Sequence, residues 1–235
     1  MLTYAVGDIH GSYDKLINLV SQCNGRHAIL GGDAPRFVFL GDYVDRGPGS
    51  RQVVEFLMTM QANAPDHVVC LRGNHEELLI AASKRRNELT WLRNGGDATL
   101  ESYGVDDAEA IPAEHLAWFK NLPLALSDGP RFYVHAGIEA GVPLDQQDKD
   151  IMLWIREPFL SDTRDHGKYI VHGHTPLERG RPDLRPNRLN LDTGACFGGP
   201  LTAGIFDEVD VGPIAFMTHD GNLMPARPIE PPDQA

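Results

Sequence analysis

The feature that most constrains this chain is a threefold alternation of a short apolar run, a polar segment bounded by glycine and a helical pattern. The apolar runs span residues 3–7, 36–41 and 67–72. The helical patterns that follow them span residues 13–22, 50–60 and 76–86. This order is typical of βαβ units and predicts a largely parallel sheet. Ligands of such folds bind beyond the carboxyl ends of the strands, where the polar segments lie.

The second half of the chain has a different pattern. One more helix is predicted from Pro112 to Leu122, and short apolar or alternating runs follow at 131–134, 169–171, 188–191, 201–206 and 213–217. Because no clear helices separate these runs, they predict a second sheet with antiparallel character. We therefore expect one α/β domain with two sheets over residues 1–222, followed by a proline-rich tail at 223–235.

Composition excludes several classes of protein. Hydrophobic residues make up 42% of the 235 residues, which is enough for a sizeable core. The net charge of −12 disfavours nucleic acid as a partner. The scattered Cys23, Cys70 and Cys196 do not predict a disulfide framework. No apolar run reaches the ~18 residues of a membrane span, and the first residues lack a signal-peptide pattern, so we expect a cytoplasmic protein without a membrane partner.

Five polar segments carry the residues of a candidate site. They are Gly7–Gly11, Gly41–Gly47, Gly73–Glu76, His135–Gly137 and His172–Thr175. Together they supply carboxylates, imidazoles, an amide and arginines, which is the set that a two-metal phosphoester hydrolase needs. Each segment alone is weak support, and the combination is hard to explain otherwise.

Asp8, His10 and Asp42 are the first candidate metal ligands. One carboxylate oxygen and one imidazole nitrogen suit a divalent ion such as Mn, Fe or Zn. The carboxylate of Asp42 can bridge two ions through its two oxygens. In the alternative interpretation, Asp8 caps the following helix and His10 is a turn residue.

Asn74, His135 and a histidine of the last segment are candidate ligands of the second ion. Such neutral ligands preserve the positive field that a phosphate needs. Spacing alone leaves His172 and His174 open, because both are expected to face the same way on a strand.

Three further kinds of residue indicate that the site hydrolyses a phosphate ester. His75 lies beside Asn74 and is a natural general acid, and Asp45 can accept a hydrogen bond from its ring. Arg46 and Arg72 adjoin polar segments, and an arginine fork binds two phosphate oxygens. The alternatives are a turn residue for Asp45 and surface ion pairs for the arginines.

The motifs Gly-Asp-x-His-Gly, Gly-Asp-x-x-Asp-Arg-Gly and Gly-Asn-His-Glu are all intact, and His-Ala-Gly and Gly-His-Thr follow them. Over residues 5–197 the chain resembles the phosphoprotein phosphatase family of metallophosphoesterases, in particular its small bacterial and phage members. The resemblance implies an α/β fold with a metallophosphoesterase-like two-sheet β-sandwich flanked by helices. It also implies a metal site at the C-terminal ends of the strands.

The resemblance assigns a role to each matching residue. One metal would be held by Asp8, His10 and Asp42, and the other by Asp42, Asn74, His135 and His174. His75 and Asp45 would form the acid pair, and Arg46 and Arg72 would bind phosphate, joined by Arg156 from the segment Trp154-Ile155-Arg156. Two divalent ions are implied, with manganese expected and iron or zinc as alternatives.

The implied activity is that of a monomeric serine/threonine protein phosphatase, in which a hydroxide held by both metals attacks phosphorus in line. Its substrate would be a phosphorylated protein or a small phosphoester. One alternative is a symmetrical dinucleoside tetraphosphatase (a diadenosine tetraphosphate hydrolase). That branch typically has alanine where this chain has Asp45, which favours the phosphatase. A non-catalytic phosphate-binding module is the second alternative, although none of the motif residues is lost.

Overall fold

The computed structural model describes residues 1–226, which form strands and helices in two sheets and their flanking layers. The strands are β1 (Thr3–Val6), β2 (Arg36–Phe39), β3 (Val68–Cys70), β4 (Ala125–Ser127), β5 (Arg131–Val134), β6 (Tyr169–His172), β7 (Asp183–Leu184), β8 (Arg188–Asn190), β9 (Thr202–Phe206), β10 (Ala215–Thr218) and β11 (Leu223–Pro225). The helices are α1 (Tyr13–Leu30), α2 (Ser50–Asn63), α3 (Asn74–Ala82), α4 (Glu88–Trp91), α5 (Asp97–Tyr103), α6 (Ala113–Asn121) and α7 (Lys149–Trp154).

Each sheet contains a group of three parallel strands. The first sheet has the order β11-β10-β9-β1-β2-β3, and the second has the order β4-β5-β6-β8-β7. Strands β1, β2 and β3 run parallel to one another, as do β5, β6 and β8. The α/β fold with two sheets flanked by helices, predicted from the sequence, is confirmed.

The central strands are buried on both faces, which explains their uninterrupted apolar runs. Alternate residues of a strand point to opposite faces. Val38 of β2 packs between the sheets with Tyr133 of β5. Its neighbours Phe37 and Phe39 pack on the other face with the helices, among them Leu16 of α1. A separate cluster on the outer face of the second sheet packs against α7.

The prediction of an antiparallel second sheet is wrong in two respects. Strands β9 and β10, assigned to that sheet from their short runs, join the first sheet, where β9 pairs antiparallel with β1. The three remaining runs form the parallel strands β5, β6 and β8. Parallel neighbours need a long crossover, and the α-helix in the crossover between β5 and β6 is the six-residue α7, which two short 3-10 turns accompany. A helix this short has no readable periodicity.

Helix α1 is longer than its apolar pattern. The pattern ends at Gln22, whereas the helix continues to Leu30 and ends before Gly31, which has a φ of 71°. Its last turns do not pack on the core, since Ile29 is 87% exposed. Helix periodicity detects only a buried face, so this extension was invisible in the sequence.

The end of the chain adds one edge strand. Strand β11 pairs antiparallel with β10, beyond the boundary predicted at residue 222. That domain boundary stays a prediction, because residues 227–235 of the proline-rich tail lie outside the described residues. Within residues 1–226 no helix combines the length and the apolar character needed to cross a membrane.

Candidate metal centre and active site

The candidate ligands lie together at one edge of the two sheets because they follow the carboxyl ends of parallel strands. Asp8 and Asp42 follow β1 and β2, Asn74 begins α3 after β3, and His135 and His174 follow β5 and β6. None of these five side chains is more than 8% exposed. These candidate ligands therefore form a buried polar site.

Several site residues adopt left-handed backbone conformations. The φ angles are 43° at His10, 56° at Asp42, 71° at Asp45, 69° at Arg46 and 67° at His174. Such conformations are costly for residues other than glycine and concentrate at functional sites. They turn each side chain sharply at the end of its strand, so strand alternation no longer predicts where these side chains point.

His172 and His174 show this effect. They were expected to face the same way, but β6 ends at His172 and the turn sends His174 elsewhere. The ring of His172 packs edge-on against Phe159 at 5.0 Å, whereas the ring of His174 lies 5.1 Å from that of His135. His174 is thus the histidine at the site, and His172 belongs to the core.

Two groups of donor atoms share Asp42. The first consists of His10, Asp42 and His75, and the second of Asp42, His135 and His174, with the ligand atoms of each group within 4.8 Å of one another. His10 Nε2 lies 3.4 Å from Asp42 Oδ2, and His135 Nε2 lies 3.4 Å from Asp42 Oδ1. Each carboxylate oxygen faces one group, which is the geometry of a bridging ligand.

The imidazoles are oriented by the backbone. His10 Nδ1 bonds to the Val44 carbonyl and His135 Nδ1 to the Leu40 carbonyl, both at 2.9 Å. These bonds leave the Nε2 lone pairs directed at Asp42, as in metal-binding histidines. Burial lowers the pKa of His135, and it lowers the pKa of His10 and of His174 to about 3. Neutral imidazole is the form that binds a metal ion.

Asn74 completes the second group. Its Oδ1 lies 2.8 Å from His135 Nε2 and 3.0 Å from His174 Nδ1. An amide oxygen between two imidazoles adds a ligand without adding charge. The mixed set of nitrogen and oxygen donors fits two divalent ions of the Mn, Fe or Zn type, and these His and Asp groups are able to bind metal ions.

Asp8 is positioned by a backbone N–H group of the loop after β6. Its two carboxylate oxygens accept the backbone N–H of His174, each at 3.1 Å. A Cβ on Gly173 would lie 2.0 Å from Asp8 Oδ1, so this close approach requires glycine. Burial, together with the charges of Asp192 and Asp42, raises the pKa of Asp8. The carboxylates are crowded, which a bound cation would relieve.

Asp192 is an acidic group of the site that the sequence interpretation missed. It lies two residues beyond β8, is 3% exposed and accepts the Gly194 N–H at 3.1 Å. Burial and the charge of Asp42 raise its pKa to about 6. The signal was present, because Asp192 directly follows the apolar run 188–191 in the same way that Asp42 follows 36–41.

His75 and Asp45 form a buried pair. His75 Nδ1 lies 2.7 Å from Asp45 Oδ2, and the two residues are at most 1% exposed. The other carboxylate oxygen of Asp45 accepts from Thr99 Oγ1 at 2.7 Å and from Trp91 Nε1 at 2.9 Å. Burial lowers the pKa of His75, but the charges of Asp42 and Asp45 outweigh this effect and raise it. Nothing in the sequence linked Trp91 and Thr99 to Asp45.

Arg46 reaches into the first donor group. Its guanidinium nitrogens lie 2.9 Å from His10 Nε2 and 2.9 Å from His75 Nε2. The lone pair of His10 Nε2 can accept from Arg46 or bind a metal ion, but not both. Metal binding would therefore free one end of the guanidinium. The ring of Phe197, 64% exposed, lies 5.3 Å from the Arg46 guanidinium carbon and was not recognised in the sequence.

The other two arginines differ in their surroundings. Arg72 donates to Glu77 at 3.2 Å and to backbone carbonyls at the end of α6, so its guanidinium is directed away from the donor groups. Arg156 is exposed, and its charge lowers the pKa values of His174 and Asp192, which places it within electrostatic reach of the site.

Glu76 ties the loops of the site together. Its Oε2 accepts the N–H groups of Asp42 and Gly73, each at 2.8 Å, and its Oε1 accepts that of Tyr43 at 2.7 Å. Burial and the charge of Asp42 raise the pKa of Glu76 to about 7. The last residue of the Gly-Asn-His-Glu motif is thus a structural brace between β2 and α3.

Replacing Glu76 with Ala is expected to lower the free energy of unfolding by about 3 kcal/mol or more. Three buried N–H groups would lose their acceptor, at a cost of about 1–3 kcal/mol each. Urea unfolding monitored by circular dichroism measures the change. The control is Glu77→Ala, which removes a carboxylate that is 27% exposed and ion-paired to Arg72 and Lys149. Because partly exposed ion pairs contribute at most about 1 kcal/mol each, its loss should be smaller, and equal losses in the two variants would contradict the bracing role.

Comparison with known proteins identifies the family of the chain. The sequence profile of the calcineurin-like phosphoesterases matches residues 1–203. A serine/threonine-protein phosphatase 1 of Salmonella typhimurium is 31% identical over 207 residues, which cover 85% of this chain and 89% of the relative. A bis(5'-nucleosyl)-tetraphosphatase (asymmetrical) of a Geobacillus species is 27% identical over 228 residues, which cover 87% and 90%.

A similar fold occurs in solved structures. A cold-active protein-tyrosine phosphatase of a psychrophilic Shewanella superposes with a TM-score of 0.68 at 17% identity, over 96% of this chain and 80% of the other. Fold and donor groups together define a metallophosphoesterase. The chain belongs to the calcineurin-like phosphoesterase family and is a hydrolase of phosphoesters. The family resemblance inferred from the motifs is confirmed.

Proposed function

We propose that this chain is a metal-dependent serine/threonine protein phosphatase that hydrolyses phosphomonoesters by direct in-line attack of water on phosphorus. The buried His75–Asp45 pair beside the shared Asp42 is the observation that carries this proposal. It supplies a proton donor next to two groups of metal ligands. The phosphatase relative that is 31% identical supports the same choice.

In this proposal the candidate ligands hold two divalent ions, with manganese as the preferred metal. The residues are Asp8, His10 and Asp42 for one ion and Asp42, Asn74, His135 and His174 for the other. When bound, the ions supply positive charge for the phosphoryl oxygens and activate the attacking water. The unpaired thiols of Cys23 and Cys70 are compatible with the reducing cytoplasm in which we place the protein.

The side chains of the protein carry out the remaining steps. His75 protonates the departing serine or threonine oxygen, and Asp45 stabilises the protonated ring and fixes its orientation. Arg46, freed from His10, and Arg156 hold the phosphoryl oxygens as negative charge develops. Arg72 contributes a third guanidinium if it leaves its contact with Glu77; its position directly after β3 supports this role.

A dinucleoside tetraphosphatase is the second candidate. Several relatives of 27–29% identity carry that name, in the asymmetrical form rather than the symmetrical form considered from the motifs. Membership of a hydrolase family argues against a non-catalytic phosphate-binding module. The two enzymatic candidates share the metal chemistry and differ in the leaving group, which is a serine or threonine oxygen in one case and a phosphate oxygen in the other.

A competition panel separates the two candidates. Manganese-loaded protein is offered phosphoserine and phosphothreonine peptides, a phosphotyrosine peptide and diadenosine tetraphosphate, each against 4-nitrophenyl phosphate. We expect the highest kcat/KM for a phosphoserine or phosphothreonine peptide. A higher value for diadenosine tetraphosphate would overturn the protein phosphatase proposal in favour of the second candidate.

A further inference from the structure

Two adjoining cavities, together called the groove, lead away from the candidate active site. Its first part is a cavity of about 520 Å³ that has Arg46 in its wall. A second cavity of about 680 Å³ adjoins it, and the two share Lys15 and Gly198 as lining residues. Volumes of this size accommodate several substrate groups. The groove therefore extends the site well beyond the scissile phosphate.

The far end of this groove is basic, although the chain as a whole carries a charge of −12. Lys15, Arg179 and Arg181 line the second cavity. The acidic residue among them is Asp220, whose carboxylate already accepts from Thr218 and Asn222. A local concentration of cations on an acidic protein focuses a positive field that attracts anionic ligands.

The two arginines have no partner among the described residues. Among residues 1–226 the exposed side chains of Arg179 and Arg181 make no hydrogen bond and no ion pair. Some other exposed arginines are paired, as Arg51 is with Glu55 and Arg85 with Glu109, each at 2.8 Å. Arg86 and Arg93 resemble Arg179 and Arg181 in lacking a side-chain partner within the described part of the chain, but they do not line this groove. Unpaired guanidinium groups at the end of a groove are suited to bind carboxylates or phosphates of another molecule.

Lys15 connects the basic end to the catalytic end. Its Nζ donates to the carbonyls of Ala195 at 2.8 Å and Gly199 at 2.7 Å, which leaves one of its three N–H bonds for a ligand. The same loop carries Phe197, whose ring covers the guanidinium of Arg46. The wall between the two cavities is thus held in place by the lysine that lines both.

We propose that this groove binds acidic residues that flank the phosphorylated residue of a protein substrate, with Arg179 and Arg181 as the specificity-determining cations. This inference rests on the proposed protein phosphatase function. A polyphosphate chain carries its charges directly beside the scissile bond, next to Arg46. Here the unpaired cations lie one cavity further away, which suits charges spaced along a peptide that advances about 3.3 Å per residue.

The test compares wild-type protein with the double variant Arg179→Gln/Arg181→Gln. Three phosphothreonine peptides are used, with Glu residues on the N-terminal side, Glu residues on the C-terminal side, or Gln on both sides. We expect wild-type protein to prefer one acidic peptide, and the variant to raise the KM of that peptide about five-fold. The KM values of the Gln peptide and of 4-nitrophenyl phosphate should not change, and the preference should weaken as salt is added.

Two controls make the result decisive. The variant Arg51→Gln/Arg85→Gln changes the net charge equally but lies outside the groove, and it should leave all KM values unchanged. The charge reversal Arg179→Glu/Arg181→Glu should transfer the preference to a peptide with flanking Lys residues.

Different failures have different meanings. If phosphopeptides are hydrolysed without any acidic preference, or if the variant raises all KM values equally, only the groove proposal is wrong. If the variant raises the KM of diadenosine tetraphosphate alone, the groove binds nucleotides and the peptide proposal is overturned. If 4-nitrophenyl phosphate is hydrolysed but no phosphopeptide is, the protein phosphatase function fails, and the groove proposal fails with it.

Discussion

His75→Asn is expected to lower kcat for a phosphothreonine peptide by about 10²–10⁴-fold, the usual contribution of a positioned general acid. Asparagine can place its amide N–H at the position of His75 Nδ1 and donate to Asp45, but it cannot deliver a proton to the leaving oxygen. The metal content should remain that of wild-type protein. Steady-state kinetics and elemental analysis of the dialysed protein measure the two quantities on the same sample.

The dependence on leaving group identifies the role of His75. A phenolate such as 4-nitrophenolate leaves without protonation, so its turnover should fall far less than that of an alkyl phosphate. Thr99→Val removes both hydrogen bonds that the Thr99 hydroxyl makes with Asp45, one to its carboxylate and one from its backbone N–H. This variant should show a smaller loss with the same dependence, and Thr99→Ser should restore turnover. A loss of metal in step with turnover would instead make His75 a ligand, since its Nε2 lies 4.0 Å from Asp42 Oδ2.

Asp42→Asn is expected to weaken binding of both metal ions by at least about 100-fold, the upper range for changes to residues that merely support ligands. Asparagine offers one oxygen in place of two and carries no charge, so it cannot bridge the two donor groups. It preserves the acceptor for the His75 N–H at 3.0 Å, so the fold should be retained. Titration calorimetry with Mn²⁺ measures the affinity.

The control for this variant is Asp33→Asn, which makes the same chemical change at an exposed position. It should bind manganese as the wild type does. Loss of one ion only, with the other bound normally, would contradict the bridging role of Asp42. Recovery of turnover at high Mn²⁺ would show that the lost activity follows from metal affinity rather than from a damaged fold.

Much of the fold could be predicted from the sequence because buried strands and helices have a recognisable local pattern of apolar residues. Strands β1, β2 and β3 are covered on both faces, so each is an unbroken apolar run ended by glycine. The helix that follows each of them shows its buried face as periodicity. The extension of α1 to Leu30 and the six-residue helix α7 have no such pattern, and the pairing of β9 with β1 depends on contacts about 200 positions apart.

The candidate ligands were readable for a related reason. His10, Asp42 and Asn74 each adjoin a strand end, and the ends of parallel strands meet at one edge of a sheet. The same logic would have found Asp192, which follows β8. Strand ends could not predict Trp91, Thr99 and Phe197, because these residues do not follow a strand of the site and belong to none of the motifs.

The sequence by itself determined the chemistry of this protein: which side chains can bind metal, donate a proton or hold phosphate, and at which strand ends they lie. The tertiary structure decided how they are used. It turned His174 rather than His172 toward Asn74, set Asp45 against Trp91 and Thr99, and directed Arg72 away from the centre. The physical reason is that ligand type is a property of one residue, whereas orientation is set by left-handed turns and by partners distant in the chain.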